Sequence, residues 1–208
     1  MNNTDLHQET YNKLADEYEA NAILVQSYFN KAMPIFTSML KNRARVLDVG
    51  GGIGQASEFV IDKKNADVIA IELSSNMAGY YKKRNPSAKI VIGDFLSYKF
   101  QGKFDGIIMG AFLHLFSDYE VNLILRKCFG LLRAGGIIYL DTTKAEKYKQ
   151  GYELKSDYDQ KLRRFRTRWT KEKMTTKLTE HGFEISSYRE ITGIKNKLWM
   201  VFVVQKTR

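Results

Sequence analysis

The chain has 208 residues, of which 44% are hydrophobic and 27% are charged, as in a single globular domain. Its one cysteine excludes an intramolecular disulfide and a zinc site built from cysteines. No apolar run is long enough to span a membrane and the first residues hold no apolar signal core, so we expect a cytoplasmic protein with no membrane contact. The formal net charge is +10, and twelve basic against five acidic residues between Lys144 and Lys177 supply +7 of it, which indicates an acidic partner or substrate.

Helices and short apolar strands alternate along most of the chain. Residues 5–41 are predicted to form one or two helices. Runs rich in Ile and Val predict strands at 44–49, 67–72, 88–92, 104–109 and 136–142. Helix-length segments separate them at 54–64, 75–84 and 118–132. This alternation indicates βαβ units and a parallel sheet with right-handed crossovers.

The C-terminal part of the chain has a different pattern. Residues 170–181 are predicted to form a helix, with Thr170 as its N-cap and Gly182 just after its end. Two further strands, 183–190 and 198–205, are joined by a link too short for a crossover. They are therefore predicted to pair as an antiparallel hairpin.

A glycine-rich turn, Asp48-Val49-Gly50-Gly51-Gly52-Ile53-Gly54, follows the first strand and opens a helix. Glycine permits a sharp turn and lets a ligand approach the backbone, and ligands of open α/β sheets bind at the carboxyl ends of the strands. The G-x-G-x-x-G pattern of dinucleotide sites fails because Gln55 replaces the third glycine, which disfavours a nicotinamide oxidoreductase. The P-loop pattern fails as well, since no Gly-Lys-Ser/Thr follows.

The turn resembles the first motif, D-x-G-x-G-x-G, of the class I S-adenosylmethionine-dependent methyltransferases. The resemblance continues through Glu72 at the end of the second strand, Gly93-Asp94-Phe95 after the third, residues 104–114 and residues 131–136, so it covers nearly the whole chain. It implies an α/β Rossmann-like sheet of seven strands in the order 3-2-1-4-5-7-6, with an antiparallel last pair and helices on both faces. It also implies one domain, with a helical lid (1–41), a cofactor-binding core (42–142), a basic insertion (143–169) and a final helix with hairpin (170–208).

The same resemblance implies S-adenosylmethionine as the cofactor and S-adenosylhomocysteine as the product. Glu72 would hold the ribose hydroxyls and Asp94 the adenine amine, while Asp48 would brace the glycine turn through backbone N–H groups. The implied cofactor-binding residues are Tyr18, Asp48, Gly50, Gly51, Gly52, Gly54, Glu72, Leu73, Met77, Gly93, Asp94, Phe95, Gly110 and Ala111.

The absence of three motifs narrows the range of possible methyl acceptors. The N-P-P-Y motif of enzymes that methylate nucleic-acid amines is replaced by residues 109–112, Cys128 lies in the middle of a helix, and no paired-glutamate loop is visible. A small-molecule oxygen, nitrogen or carbon acceptor remains, or a less typical macromolecule. His114, after strand four, is the candidate general base, because an imidazole accepts a proton near neutral pH. His7 and His181 are interpreted as surface or helix-end residues, and the spacing of the histidines predicts no metal site.

The basic segment 161–169 is predicted to lie beside the acceptor pocket, where arginine can bind a carboxylate or phosphate. The predicted substrate-binding residues are Tyr11, Tyr152, Arg166, Arg168 and Trp169, and Tyr158 is a further candidate. We therefore expect methyl transfer to a small, acidic acceptor by a monomer or homodimer. Two alternatives stay open: an RNA methyltransferase that uses the basic segment, and a non-catalytic cofactor-binding partner protein.

Overall fold

The computed structural model describes residues 3–155, 162–193 and 196–207. Its helices are α1 (Asn3–Ala20), α2 (Ala22–Ala32), α3 (Pro34–Met39), α4 (Gln55–Lys64), α5 (Ser75–Arg84), α6 (Asp118–Leu131) and α7 (Lys171–Glu180). Its strands are β1 (Arg45–Val49), β2 (Asp67–Glu72), β3 (Lys89–Ile92), β4 (Phe104–Met109), β5 (Leu132–Thr143), β6 (Lys149–Lys155), β7 (Leu162–Arg168), β8 (Phe183–Thr192) and β9 (Leu198–Lys206).

Seven of these strands form the main sheet, in the order β3-β2-β1-β4-β5-β9-β8. The neighbours among the first five pair in parallel, whereas β9 is antiparallel to both β5 and β8. Since β8 and β9 are the sixth and seventh strands of this sheet, the predicted order and the antiparallel terminal pair are confirmed. Every βα connection of the parallel part therefore opens at the same edge, where ligands bind in such sheets.

Both faces of the sheet are covered, as the apolar strands predict. On one face Leu47 of β1 packs in a cluster with Leu125 of α6, and on the other its neighbour Val46 packs with Phe36 of α3. Side chains of adjacent strand residues point to opposite faces, so a strand covered on both sides has no polar face. This arrangement leaves the carboxyl edge of the sheet as the place for polar chemistry.

The structure differs from the predicted elements in two places. The N-terminal segment forms three helices, because Pro34 starts a new helix directly after α2. Strands β6 and β7 pair as a separate antiparallel hairpin within the segment 143–169, which the sequence presented only as a basic insertion. The hairpin escaped prediction because four arginines occupy the seven residues of β7, and charged residues hide the apolar pattern of a strand.

Candidate active site

A cavity of about 280 Å³ lies at the carboxyl edge of the sheet, between the loops after β1, β2, β3 and β4 and the overlying helices α1 and α2. Three residues that the sequence placed on the acceptor side, His114, Tyr11 and Arg166, line it. All fourteen residues implied to bind the cofactor also line it: Tyr18, Asp48, Gly50, Gly51, Gly52, Gly54, Glu72, Leu73, Met77, Gly93, Asp94, Phe95, Gly110 and Ala111.

The glycine turn after β1 forms the floor of this cavity. Gly50 and Gly52 have φ angles of +67° and +55°, which residues with a Cβ rarely adopt. A Cβ on Gly50 would lie 2.5 Å from Cδ2 of Phe112, so glycine is required there by packing. A Cβ on Gly52 would meet no atom within 4 Å, so this part of the turn faces open space that a ligand can fill.

Glu72 ends β2 and joins two loops of the site. Its Oε2 accepts a hydrogen bond from the Gly52 backbone N–H (2.9 Å), and its Oε1 accepts one from the Ser74 N–H (2.8 Å). Burial raises the pKa of this carboxyl, while both backbone bonds oppose the rise. Each carboxylate oxygen can accept a further bond, so Glu72 is held in place and still able to receive hydroxyl groups.

Asp48 braces the turn by a different contact from the predicted one. Its Oδ2 accepts from the hydroxyl of Ser57 in α4 (2.6 Å), and the Tyr81 hydroxyl in turn donates to Ser57 Oγ (2.6 Å). Burial raises the pKa of Asp48 to about 7. The expected bonds to backbone N–H groups are thus replaced by a chain of side chains that fixes α4 and α5 against the turn.

Asp94 follows β3 at the same edge. One of its oxygens, Oδ2, accepts from the Ser97 N–H (2.8 Å), and the neighbouring Gly93 N–H donates to the Glu72 carbonyl (2.9 Å). A Cβ on Gly93 would meet no atom within 4 Å. The loop after β3 is therefore anchored to β2 and leaves room beside Gly93.

A buried carboxylate that sequence reasoning missed shapes the loop after β4. Ala111 has a φ angle of +51°, and its N–H donates to Oδ1 of Asp141 (2.7 Å). Oδ2 of Asp141 accepts from the hydroxyls of Tyr28 (3.0 Å) and Tyr139. Burial raises the pKa of Asp141 to about 6. The sequence feature that could have identified Asp141 is its position near the carboxyl end of the predicted strand 136–142.

His114 lies in a short 3-10 turn, Leu113–Leu115, and is 3% exposed. Its Nδ1 is 3.2 Å from Oγ1 of Thr142 at the end of β5. The sequence left open whether this ring faces the pocket, and the structure places it in the cavity lining.

Helix α1 closes the cavity from above. Its Asn12 accepts from the Ser74 hydroxyl (2.6 Å) before α5, and its Thr10 hydroxyl donates to the Arg163 carbonyl (3.1 Å) in β7. The rings of Tyr11 and Tyr18 meet edge to face with centroids 6.0 Å apart. Helix α1 thus spans from the loop after β2 to the hairpin.

His7 of α1 is not the surface residue that the sequence suggested. It is 4% exposed, lines the cavity, and contacts the rings of Tyr11 and Phe116 edge-on. Burial lowers its pKa to about 4. Sequence alone gave no signal for this position, because only the docking of α1 on β7 buries it.

The hairpin brings two buried arginines to the cavity. Arg164 and Arg166 are 5% and 8% exposed, and both line it. Oε1 of Glu153 accepts from Arg164 (3.0 Å) and lies 3.8 Å from Nε of Arg166, and its Oε2 accepts from Arg168 (2.6 Å). Burial and the charge of Arg164 lower the pKa of Arg166 to about 10. One carboxylate therefore faces three guanidinium groups, and positive charge is left over.

Three predicted substrate-binding residues do not line this cavity. Trp169 is fully buried in the core, where it packs against Tyr148. Tyr152 is 52% exposed, and Arg168 lines a neighbouring cavity behind the arginine pair. Strand alternation explains Tyr152 and Trp169, since Tyr152 pairs with Phe165 and both lie on the face opposite to Arg164 and Arg166. Arg168 lies on the same face as the arginine pair but further along β7, where it contacts Glu153. Tyr158 and Lys161 lie outside the described residues.

Three further observations concern a thiol nucleophile, a metal site and a membrane-spanning helix. Cys128 is buried in α6, and burial raises the pKa of its thiol to about 12, so it is no nucleophile at neutral pH. Within the described ranges no cluster of three or more His, Cys, Asp or Glu residues could hold a metal ion. None of the helices described above combines the length and apolarity that crossing a bilayer requires.

Comparisons with known proteins agree with this geometry. Residues 46–136 match the family described as "Methyltransferase domain". Phosphoethanolamine N-methyltransferase 2 of Caenorhabditis elegans is 26% identical over 164 residues, which are 76% of this chain and 32% of that protein. This chain thus spans about a third of the length of that curated relative.

Two solved structures have the same fold. An S-adenosylmethionine-dependent methyltransferase from Methanosarcina mazei superimposes with a TM-score of 0.73 at 23% identity, over 84% of this chain and 97% of the other. The 1,6-didemethyltoxoflavin-N1-methyltransferase of Burkholderia thailandensis, bound to 1,6-didemethyltoxoflavin and S-adenosylhomocysteine, gives a TM-score of 0.68 at 16% identity, over 98% and 91%. The match and these likenesses support the expected cofactor. Residues 46–136 match a methyltransferase domain, and the chain shares its Rossmann-like fold with solved structures of S-adenosylmethionine-dependent methyltransferases.

Proposed function

We propose that this protein transfers a methyl group from S-adenosylmethionine to a small, anionic acceptor. The observation that carries the proposal is the pair of buried arginines, Arg164 and Arg166, in the lining of the same cavity as the glycine turn and Glu72. Buried charge without full compensation is costly, and an anionic ligand would supply the missing charge. The pair therefore favours an acidic acceptor over a neutral one.

The residues of the cofactor side fit the adenosyl group. The open space beside Gly52 and Gly93 admits a ligand close to the backbone, and the fixed Glu72 carboxylate can receive hydroxyl hydrogens. S-adenosylmethionine, when bound, supplies a methyl group that is already activated for displacement. The protein's part is then to align the acceptor and to exclude water, which a buried cavity roofed by α1 does.

His114 is the residue we propose as the proton acceptor. Its ring is buried in the cavity lining, and the contact between its Nδ1 and Thr142 Oγ1 orients it. An acceptor atom that carries a proton at neutral pH would need such a base, whereas a deprotonated one would not.

The relative's name supports the class of acceptor. Phosphoethanolamine N-methyltransferase is named for a small acceptor that carries a phosphate, and the solved neighbour from Burkholderia thailandensis is named for a small heterocycle. Two of the arginines that RNA would need on a surface, Arg164 and Arg166, face inward instead. This placement weighs against the RNA methyltransferase alternative.

Thermal melts with S-adenosylmethionine, S-adenosylhomocysteine, NAD and no ligand test the cofactor. A ligand at about 100 times its dissociation constant stabilises by ~2.7 kcal/mol, which is roughly 5–10 °C for a domain of this size. We expect this shift with both adenosyl ligands and none with NAD. No shift with either adenosyl ligand would refute the proposal.

Transfer of a labelled methyl group to phosphoethanolamine and other small anions tests the acceptor. Arg166→Met should lower kcat/KM by at least about tenfold, as loss of a charged hydrogen bond does, and leave S-adenosylhomocysteine binding unchanged. Arg163→Met is the matched control, because Arg163 is exposed and stacks on the Tyr152 ring at 4.4 Å. Cofactor binding without transfer to any acceptor would indicate the non-catalytic partner protein. Salt-dependent RNA binding would indicate the RNA methyltransferase.

A further inference from the structure

Three buried polar atoms in the cavity lining have no hydrogen-bond partner among the described residues. They are Nε2 of His7, Nε of Arg164 and Nε1 of Trp199. Buried polar atoms are normally bonded, and each exception calls for an explanation. Their concentration in one cavity points to a ligand that would satisfy them.

His7 offers a lone pair and not a proton at this site. Its ring has a hydrogen bond with the Phe165 backbone, which raises the pKa of the ring as donation to a carbonyl oxygen does. Since Nε2 is without a partner, this bond belongs to Nδ1, so Nδ1 carries the hydrogen. Burial holds the pKa of His7 near 4 overall, so the ring is neutral at physiological pH and Nε2 can only accept.

Arg164 lies beside His7 and offers a hydrogen-bond donor where His7 offers an acceptor. Phe165, whose backbone bonds to His7, is the next residue in β7, and the Arg164 charge lowers the pKa of the His7 ring. One of its terminal nitrogens donates to Glu153, which leaves the N–H on Nε as an unused donor. The other charged neighbour of His7, Glu120, already accepts from the Ser117 N–H and hydroxyl in the cap of α6.

We propose that His7 and Arg164 form a recognition site for an anion that carries its own O–H or N–H donor, of which phosphate is the simplest example. Arg164 would donate to an anionic oxygen while His7 Nε2 would accept from the hydroxyl or amino hydrogen. The proposal deepens the proposed function, since it assigns this site to the anionic end of the methyl acceptor. It also makes helix α1 part of the acceptor site through His7.

Inorganic phosphate and sulfate are the probes that separate the two contacts. At neutral pH phosphate retains at least one P–O–H group, whereas sulfate has none, and the two anions are otherwise similar in shape. We would measure both by calorimetry at matched ionic strength, with and without S-adenosylhomocysteine. The wild type should bind phosphate about tenfold more tightly than sulfate, the ratio expected for one hydrogen bond to a buried acceptor.

His7→Phe should remove this preference and leave sulfate affinity nearly unchanged, because the ring shape stays and the lone pair goes. His7→Gln should retain part of the preference, since its amide oxygen can accept. Arg164→Lys should weaken both anions, and His181→Phe is the matched control, because His181 lies at the end of α7 and does not line the cavity.

Equal binding of the two anions by the wild type, a preference that survives in His7→Phe, or no binding of either anion would overturn the proposal. Its failure is distinguishable from failure of the proposed function. If the anion site fails while S-adenosylhomocysteine still shifts the melting temperature, the methyltransferase function stands with a different acceptor site. If S-adenosylhomocysteine fails to bind while phosphate selectivity follows His7, the anion site stands without that function.

Discussion

Replacement of Glu72 by alanine tests the cofactor side of the site most directly. The carboxylate accepts from the backbone N–H groups of Gly52 and Ser74 at 2.9 and 2.8 Å, and we propose that it also receives ribose hydroxyls. Glu72→Ala therefore removes two contacts of different kinds, an internal brace and a ligand contact. A simple loss of affinity would not tell them apart.

The size of the expected loss follows from the hydrogen bonds. A bond to a charged group contributes ~1.5–3 kcal/mol, so loss of the ribose contact alone should weaken S-adenosylhomocysteine roughly ten- to hundredfold. The loss of the brace adds to this, and it also lowers the melting temperature of the ligand-free protein. Glu58→Ala is a matched control, since Glu58 lies in α4 outside the cavity lining.

Calorimetry with S-adenosylhomocysteine and its 2′-deoxy analogue isolates the ribose contact. If Glu72 receives that hydroxyl, the mutation should cost less affinity for the deoxy ligand than for the parent, and the difference is the coupling energy. Equal losses for the two ligands would refute the ribose assignment and leave Glu72 with the bracing role alone.

Three further predictions follow from contacts in the described chain. Gly50→Ala should lower the melting temperature strongly, because its Cβ would lie 2.5 Å from Cδ2 of Phe112. Gly52→Ala should lower the free energy of unfolding by only the ~1–2 kcal/mol that a left-handed backbone costs a residue with a Cβ, yet it should weaken the binding of S-adenosylhomocysteine. The pKa of Asp48 is raised from 3.8 to about 7, so between these pH values the folded protein holds a proton that the unfolded chain has lost. The protein should therefore lose up to about 4 kcal/mol of stability as the pH rises from about 4 to about 7. Denaturation of Asp48→Asn across this range should show a smaller decline. Cys128, buried with a pKa of about 12, should react with a thiol reagent only at the rate of unfolding.

Each of these has a result that would contradict it. A Gly52→Ala protein with unaltered ligand affinity would mean that the open space beside this residue is not part of the binding site. An equal pH dependence in Asp48→Asn and wild type would mean that this carboxyl is ionised in the folded protein as it is in the unfolded chain. Rapid labelling of Cys128 in the folded protein would show that α6 opens far more readily than its packing implies.

The sequence by itself determined the sheet and the glycine turn at its carboxyl edge. Strands covered on both faces need continuous apolar runs, and the glycine turn is a local device whose residues are adjacent in the chain. Asp48, Gly50 and Gly52 could therefore be located from the residue pattern alone. Glu72 and Asp94 were singled out by the family resemblance, and they line the same cavity because parallel strands bring their carboxyl ends to one edge.

Other residues of the cavity lining were brought there by tertiary structure. His7 comes from α1 and Arg164 from β7, and they meet because α1 docks on the hairpin at the carboxyl edge. Asp141 of β5 lines the same cavity and bonds to the loop after β4. The pairing of β6 with β7 separates the residues of 162–169 into two faces, so Arg164 lines the cavity and Trp169 lies in the core. Local sequence patterns do not predict these placements. Contacts between residues more than a hundred positions apart depend on how helices and strands pack against each other, and not on the spacing of residues within one element.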